Sequence, residues 1–213
     1  MIGGFLAAWR EVRLIVLGLG AAAGLGLAAR KPWLTALAGM LLGGVAYFFR
    51  DPERAPATPS ASDILSPADG RVMSIDWLEG APDWEGPAWR ISIFLSLFDV
   101  HVQRSPTAGL VQLCQYHPGG FVPAFKKEAE TNESNLVMIY TAQGRLAVRQ
   151  IAGILARRIV CWVQPDDVLS AGQRLGLIKF GSRVDLLMPP EVEILATIDQ
   201  RVQAGHSVLA RWA

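Results

Sequence analysis

The chain has few of the residues that staple or ligate. Among 213 residues there are two cysteines, Cys114 and Cys161, and three histidines, His101, His117 and His206. With no Cys-x-x-Cys spacing and no histidine pair nearby, these exclude a disulfide framework and point to no metal site. The two thiols are expected in the core, in a reducing compartment. An excess of one charge is also missing: 20 Lys and Arg face 19 Asp and Glu, for a net charge of +1, and the basic residues form no stripe. That excludes a nucleic-acid partner. Nor is there an uncharged apolar run of about 20 residues, the length that crosses a bilayer without help. The longest, Leu14 to Ala29 and Pro32 to Phe49, hold 16 and 18 residues and are split by Arg30 and Lys31. No small-residue cleavage site leads into polar sequence, so a removable secretion signal is excluded.

What is present begins with those two runs. As helices they measure roughly 24 and 27 Å, and residues 1–50 are expected to form a hydrophobic hairpin that spans with snorkelling arginines or docks by one face. Gly18, Gly20, Gly24, Gly26, Gly39, Gly43 and Gly44 are expected to let its helices approach closely. Either arrangement returns the chain to the side where it began. Arg10, Arg13, Arg50 and Arg54 then outnumber Arg30 and Lys31, which favours the cytoplasmic side of the cell membrane.

Residues 51–63, with Pro52, Pro56, Pro59, Ser60 and Ser62, read as a linker. Residues 64–213 read as one domain of short strands: Arg71 to Ile75, Trp89 to Leu97, Gly109 to Tyr116, Asn135 to Tyr140, Leu146 to Trp162, Arg174 to Lys179, Val184 to Met188 and Val192 to Thr197. Only Ala124 to Thr131 suggests a helical turn. Many short β segments between Gly and Pro predict a mainly β fold, a sandwich or barrel. Within Leu146 to Trp162, alternation predicts that Arg157 or Arg158 points inward and is paired.

The Gly181-Ser182 pair lies between the apolar run Leu175 to Phe180 and the run Val184 to Leu187. It predicts a kink between two short strands. The surrounding Phe180-Gly181-Ser182-Arg183-Val184-Asp185 resembles the self-cleavage site of the phosphatidylserine decarboxylases, in their short bacterial and archaeal form. Four further stretches match that family in order: Phe49-Arg50-Asp51-Pro52, Ser66-Pro67-Ala68-Asp69-Gly70-Arg71-Val72, Phe98-Asp99-Val100-His101-Val102 and Ala156-Arg157-Arg158-Ile159-Val160-Cys161. Val168 to Gly176 and Ala68 to Val72 are similar to a hairpin and a strand start of biotinyl and lipoyl carrier domains, the sandwich around which the family is built.

The resemblance implies that Ser182 attacks the Gly181 carbonyl, that the chain splits there, and that Ser182 becomes an N-terminal pyruvoyl group, the only cofactor. Two chains, α and β, then form a heterodimer; a homo-oligomer is left open. Phosphatidylserine in the membrane would be the substrate and phosphatidylethanolamine and CO₂ the products. Archaetidylserine is an open alternative. His101 is implied as base for cleavage and as proton donor to the product, with His117 as its rival, and Asp69 as the carboxylate that orients the imidazole. Longer family members carry a second histidine where this chain has Arg104, which leaves Arg104, like His117, a candidate for contact with substrate. Phe121 and Phe125 beside Lys126 and Lys127 are expected to rest on the bilayer.

Two other classes compete. A membrane-tethered, non-catalytic adaptor explains the hairpin but gives Gly181-Ser182 nothing to do, and no carrier lysine stands at the hairpin tip. A serine hydrolase lacks the Gly-x-Ser-x-Gly elbow.

Overall fold

The computed structural model describes residues 8–54, 60–154, 158–179 and 181–213. Part of the expected linker (55–59), residues 155–157 with Ala156 and Arg157 of the Ala156–Cys161 motif, and Phe180 lie outside the described residues. The chain divides into two compact units, Met1–Pro52 and Glu53–Ala213.

The first unit is the helical hairpin. Helix α1 spans Arg13–Ala28 and α2 spans Pro32–Phe48, about 24 and 26 Å at 1.5 Å per residue. Pro32 suits the first turn of α2, where its missing N–H has no partner to lose. Among the described residues, no helix is long and apolar enough to cross a membrane. Leu14, Leu17, Leu25, Leu27, Trp33 and Met40 are exposed on the hairpin. The expected close approach through glycines occurs at Gly26 alone, where a Cβ would come within 2.6 Å of Thr35 Oγ1. The other six helix glycines have no neighbour within 4 Å of an added Cβ.

The second unit is mainly β. Its strands are β1 (Asp63–Leu65), β2 (Gly70–Leu78), β3 (Ala88–Leu95), β4 (Val102–Arg104), β5 (Gly109–His117), β6 (Ser134–Tyr140) and β7 (Arg145–Ala152). There follow β8 (Ile159–Cys161), β9 (Val168–Leu169), β10 (Arg174–Ile178), β11 (Ser182–Met188), β12 (Val192–Ile194), β13 (Arg201–Val202) and β14 (Val208–Trp212). Eight form an open, curled antiparallel half-barrel in the order β13-β2-β3-β11-β7-β6-β5-β9. Two three-stranded sheets, β1-β14-β12 and β4-β10-β8, complete the unit. One apolar cluster joins all three sheets: Ile64, Ile93, Ile139, Val148, Leu175, Ile178, Val184, Leu186 and Leu209 belong to it.

Strand β11 is central. It pairs with β3 and β7, and all seven of its residues are buried. Val184, Leu186 and Met188 face the main core, and Leu187 faces a second cluster with Trp84, Leu136 and Met138. Period-two alternation therefore puts Ser182 on the side of the main core and Arg183 and Asp185 on the other. Those two are almost fully buried and satisfy each other through a bidentate pair of 2.6 and 2.8 Å.

The expected single strand Leu146 to Trp162 is two strands in fact. Strand β7 ends at Ala152 and β8 begins at Ile159, in a different sheet. The break falls at Gly153, against which the Gly181 carbonyl packs so closely that a Cβ would overlap it. Arg158 consequently lies outside any strand and is exposed, not inward-facing. The expected turn at Ala124 to Thr131 is a short 3₁₀ helix over Lys127–Thr131.

Cys114 and Cys161 come together where β5 and β8 approach. Each Sγ reaches the Val163 carbonyl oxygen, at 3.5 and 3.3 Å. A hydrogen bond between the two thiols pulls Cys161 down to about 6 and pushes Cys114 up, with burial adding to the rise. Iodoacetamide at pH 7 should therefore modify Cys161 in the native chain while Cys114 reacts only after denaturation, as read by peptide mass mapping. Equal labelling of both thiols would contradict this shared-proton arrangement.

Candidate active site

The Gly181-Ser182 peptide sits where the chain passes from β10 into β11. Gly181 has φ +39°, in the left-handed region that glycine enters without strain, so the chain turns between sheets at this point. Ser182 then pairs with Leu95 of β3 and Ala152 of β7. It is completely buried, and its Oγ has no hydrogen-bond partner among the described residues. A buried hydroxyl without a partner costs about 1–3 kcal/mol, so its presence in a central strand asks for a reason other than stability. The adjoining Gly181 carbonyl lies against Gly153, and the Cβ of Ala124 comes within 3.3 Å of where a Cβ on Gly153 would be.

His101 is also completely buried. Its main-chain carbonyl accepts from Ile178 N at 3.3 Å, on the strand that leads to Gly181. The adjacent Val102 pairs with Leu177. The His101 Nδ1 lies 2.9 Å from the carbonyl oxygen of Asp99. Asp99 is itself fixed: its carboxylate accepts from Ser96 N and Oγ at 2.8 and 2.6 Å and from Arg201 at 3.2 Å.

Beneath the histidine runs a line of buried amides that sequence reasoning did not find. Gln103 Nε2 donates to the His101 carbonyl at 2.8 Å, Gln150 Nε2 to Gln103 Oε1 at 2.8 Å, and Asn135 Nδ2 to Gln150 Oε1 at 3.0 Å. The one sequence signal was polarity at apolar positions, Asn135 and Gln150 within otherwise buried strands β6 and β7.

Asp69 stands just before β2, two strands from β11. Its hydrogen bonds run to Arg54, bidentate, and to Ala204 N at 2.9 Å. The group at His101 Nδ1 is thus the Asp99 carbonyl, and the carboxylate of Asp69 pairs with Arg54 across the expected linker. Arg104 is buried and donates to the Gly172 carbonyl at 3.0 Å, joining β4 to the turn before β10. His117 is remote from Ser182. It pairs with Ser134, Ser134 with Ile151 and Ile151 with Arg183, three strand spacings or about 14 Å. Its Nε2 is 2.8 Å from the Asp83 carboxylate. Of the sequence-predicted residues, the fold therefore gathers Gly181, Ser182 and His101 around β10 and β11, and not His117.

The arrangement holds a buried hydroxyl beside the carbonyl of its own preceding peptide, with an imidazole on the neighbouring chain segment. Comparison with known proteins gives it a class. The sequence model of one family, Phosphatidylserine decarboxylase, matches residues 42–210. The phosphatidylserine decarboxylase proenzyme of Gluconacetobacter diazotrophicus is 44% identical over 205 residues, covering 93% of this chain and 90% of that one. The proenzyme of Carboxydothermus hydrogenoformans is 46% identical over 182 residues, 84% of each chain. That of Solibacter usitatus is 48% identical over 167 residues, 78% of this chain and 77% of its own. These matches define the class, a decarboxylase, and the relatives are named as proenzymes. The chain belongs to the phosphatidylserine decarboxylase family.

Proposed function

We propose that this chain converts phosphatidylserine to phosphatidylethanolamine and CO₂, using a pyruvoyl group that it makes from Ser182. The observation that carries the reading is the completely buried Ser182 hydroxyl, without a hydrogen-bond partner among the described residues, next to a Gly181 carbonyl wedged against Gly153. The site fits formation of the group: the attacking atom, Ser182 Oγ, is buried and tied up by no hydrogen bond among the described residues, beside the carbonyl it would attack.

Cleavage would use the chain's own groups and one water molecule. Ser182 Oγ attacks the Gly181 carbonyl carbon and gives its proton to His101, while the peptide nitrogen leaves as the Ser182 amine. Loss of the Ser182 Hα then expels the Gly181 carboxylate, which becomes the end of the longer chain, and hydrolysis releases ammonia from residue 182. A hydrogen bond from His101 Nδ1–H to the Asp99 carbonyl leaves the Nε2 lone pair as the base, the tautomer this role requires. In turnover the pyruvoyl group supplies the electron sink for loss of the substrate carboxylate. His101, protonated, returns a proton to the product carbon. Asp69 and Arg54 fix the loop before β2 against Ala204. The relatives' names favour phosphatidylserine over archaetidylserine as substrate. We take the two chains as remaining together, because β11, β13 and β14 beyond the cut pair with β3, β7, β2 and β1 before it. The arginine distribution around the hairpin favours the cytoplasmic face of the cell membrane.

Intact mass of the purified protein tests this. Two chains are expected, one ending at Gly181 and a short one beginning at residue 182 with a blocked, ketone-bearing terminus. A free serine at that terminus, or a single uncut chain without decarboxylase activity, would overturn the proposal.

A further inference from the structure

Three loops converge on the end of the half-barrel where Ser182 lies, and each carries large apolar side chains in the open. Phe98 is 74% exposed in the turn closed by Asp99 N to Ser96 O at 3.1 Å. That turn directly follows Leu95, the partner of Ser182. Ile154 is 56% exposed and follows Gly153, against which the Gly181 carbonyl packs. Phe125 is 61% exposed, and its ring meets Phe94 edge-on with centroids 6.2 Å apart. Its neighbour Ala124 lies 3.3 Å from where a Cβ on Gly153 would be. Phe121 is 39% exposed beside Val122, whose N and O are both held by Asn132. Asn132 also donates to the carbonyl of Ala152, the other partner of Ser182.

Single exposed apolar residues are ordinary, but four on three loops around one peptide make a patch. Fixing these loops through Asn132, Asp99 and Phe94 costs conformational entropy that would be wasted on side chains left in water. Lys126, exposed, stands next to Phe125 in the chain, a pairing that suits an interface where apolar rings enter lipid and cations meet anionic headgroups.

We infer that Phe98, Phe121, Phe125 and Ile154 form a docking rim by which the β unit itself sits on a phospholipid surface, with the Ser182 end facing the bilayer. The inference rests on the reading that the substrate is a lipid, whose reacting amine and carboxylate stay at headgroup depth. The rim would let that headgroup reach the site without leaving the membrane.

The test uses the full chain with Cys114→Ala and Cys161→Ala, carrying a single new cysteine labelled with an environment-sensitive dye. Phe98→Cys and Phe125→Cys report on the rim, and Gln143→Cys on the exposed turn at the other end of β6 and β7. On vesicles of phosphatidylcholine with a minority of phosphatidylglycerol, dye at 98 and 125 should shift to the blue and be quenched by acyl-chain nitroxides. Dye at 143 should do neither. Equal quenching at all three positions overturns the inference, as does a shift that follows protein concentration without vesicles, which would assign the rim to a second copy of the chain. A second arm uses Phe98→Ser with Phe125→Ser. It should mature normally and lose about tenfold in turnover of vesicle phosphatidylserine, while turnover of a short-chain soluble phosphatidylserine stays at the parental rate. Equal loss on both substrates would put the rings in the catalytic pocket and overturn the rim. A protein that docks as expected but turns over neither substrate would fail the proposed activity and leave the rim standing.

Discussion

His101→Ala should accumulate as one uncut chain, its self-cleavage slowed roughly 10²–10⁴-fold, the usual contribution of a positioned general base. The His101 ring is completely buried, its Nδ1 is committed to the Asp99 carbonyl, and its main chain is bonded to the strand that delivers Gly181. His117→Ala should mature at the parental rate, because His117 lies three strand spacings away beside Asp83. A time course on denaturing gels separates the two outcomes, and the reverse pattern would hand the role of base to His117. Asp69→Asn should fall between them. It weakens the pair with Arg54 and loosens the loop before β2, yet leaves the Asp99 carbonyl on the imidazole. Maturation of Asp69→Asn at full speed would reduce Asp69 to a turn former.

Gly153→Ala should stop maturation almost as completely, although it touches none of the reacting groups by its chemistry. A methyl at 153 would overlap the Gly181 carbonyl oxygen and press on Ala124. The scissile carbonyl must then move, and a displacement of about 1 Å from the attack geometry is enough to cost about 10²-fold. Gly80→Ala is the control, since a Cβ there meets nothing within 4 Å. The expected result is an uncut Gly153→Ala chain whose circular dichroism matches the parent, beside a Gly80→Ala chain that matures normally. A folded Gly153→Ala protein that cleaves at the parental rate would show that the close packing at Gly181 has no part in the reaction.

Much of this was legible because the residues involved act locally. The kink at Gly181-Ser182 follows from glycine entering a β pattern, and the strands Trp89 to Leu97 and Gly109 to Tyr116 follow from alternation. The elements that escaped are β14 (Val208–Trp212) and several short strands whose partners are distant, β4 among them. Strands β1, β9 and β13 hold two or three residues each and exist only because β14, β5 and β2 offer backbone groups to them. The break at Gly153 was invisible because its cause, the Gly181 carbonyl, lies 28 positions on in the chain. The partner of Asp69 was missed for a similar reason: Arg54 stands in a stretch whose prolines and serines read as linker. Amides such as Gln103 and Gln150 carry no chemical signature until the fold lines them up.

That line of amides has a bearing on how the protein meets a change of acidity. Gln103, Gln150 and Asn135 support the His101 main chain through three successive bonds, and none of them gains or loses a proton at any pH a cell experiences. Had carboxylates or further histidines filled those positions, the scaffold would shift its own charge along with the base it holds. As built, the three amides themselves carry no charge that could change, so the main chain of His101 keeps the same support as acidity varies.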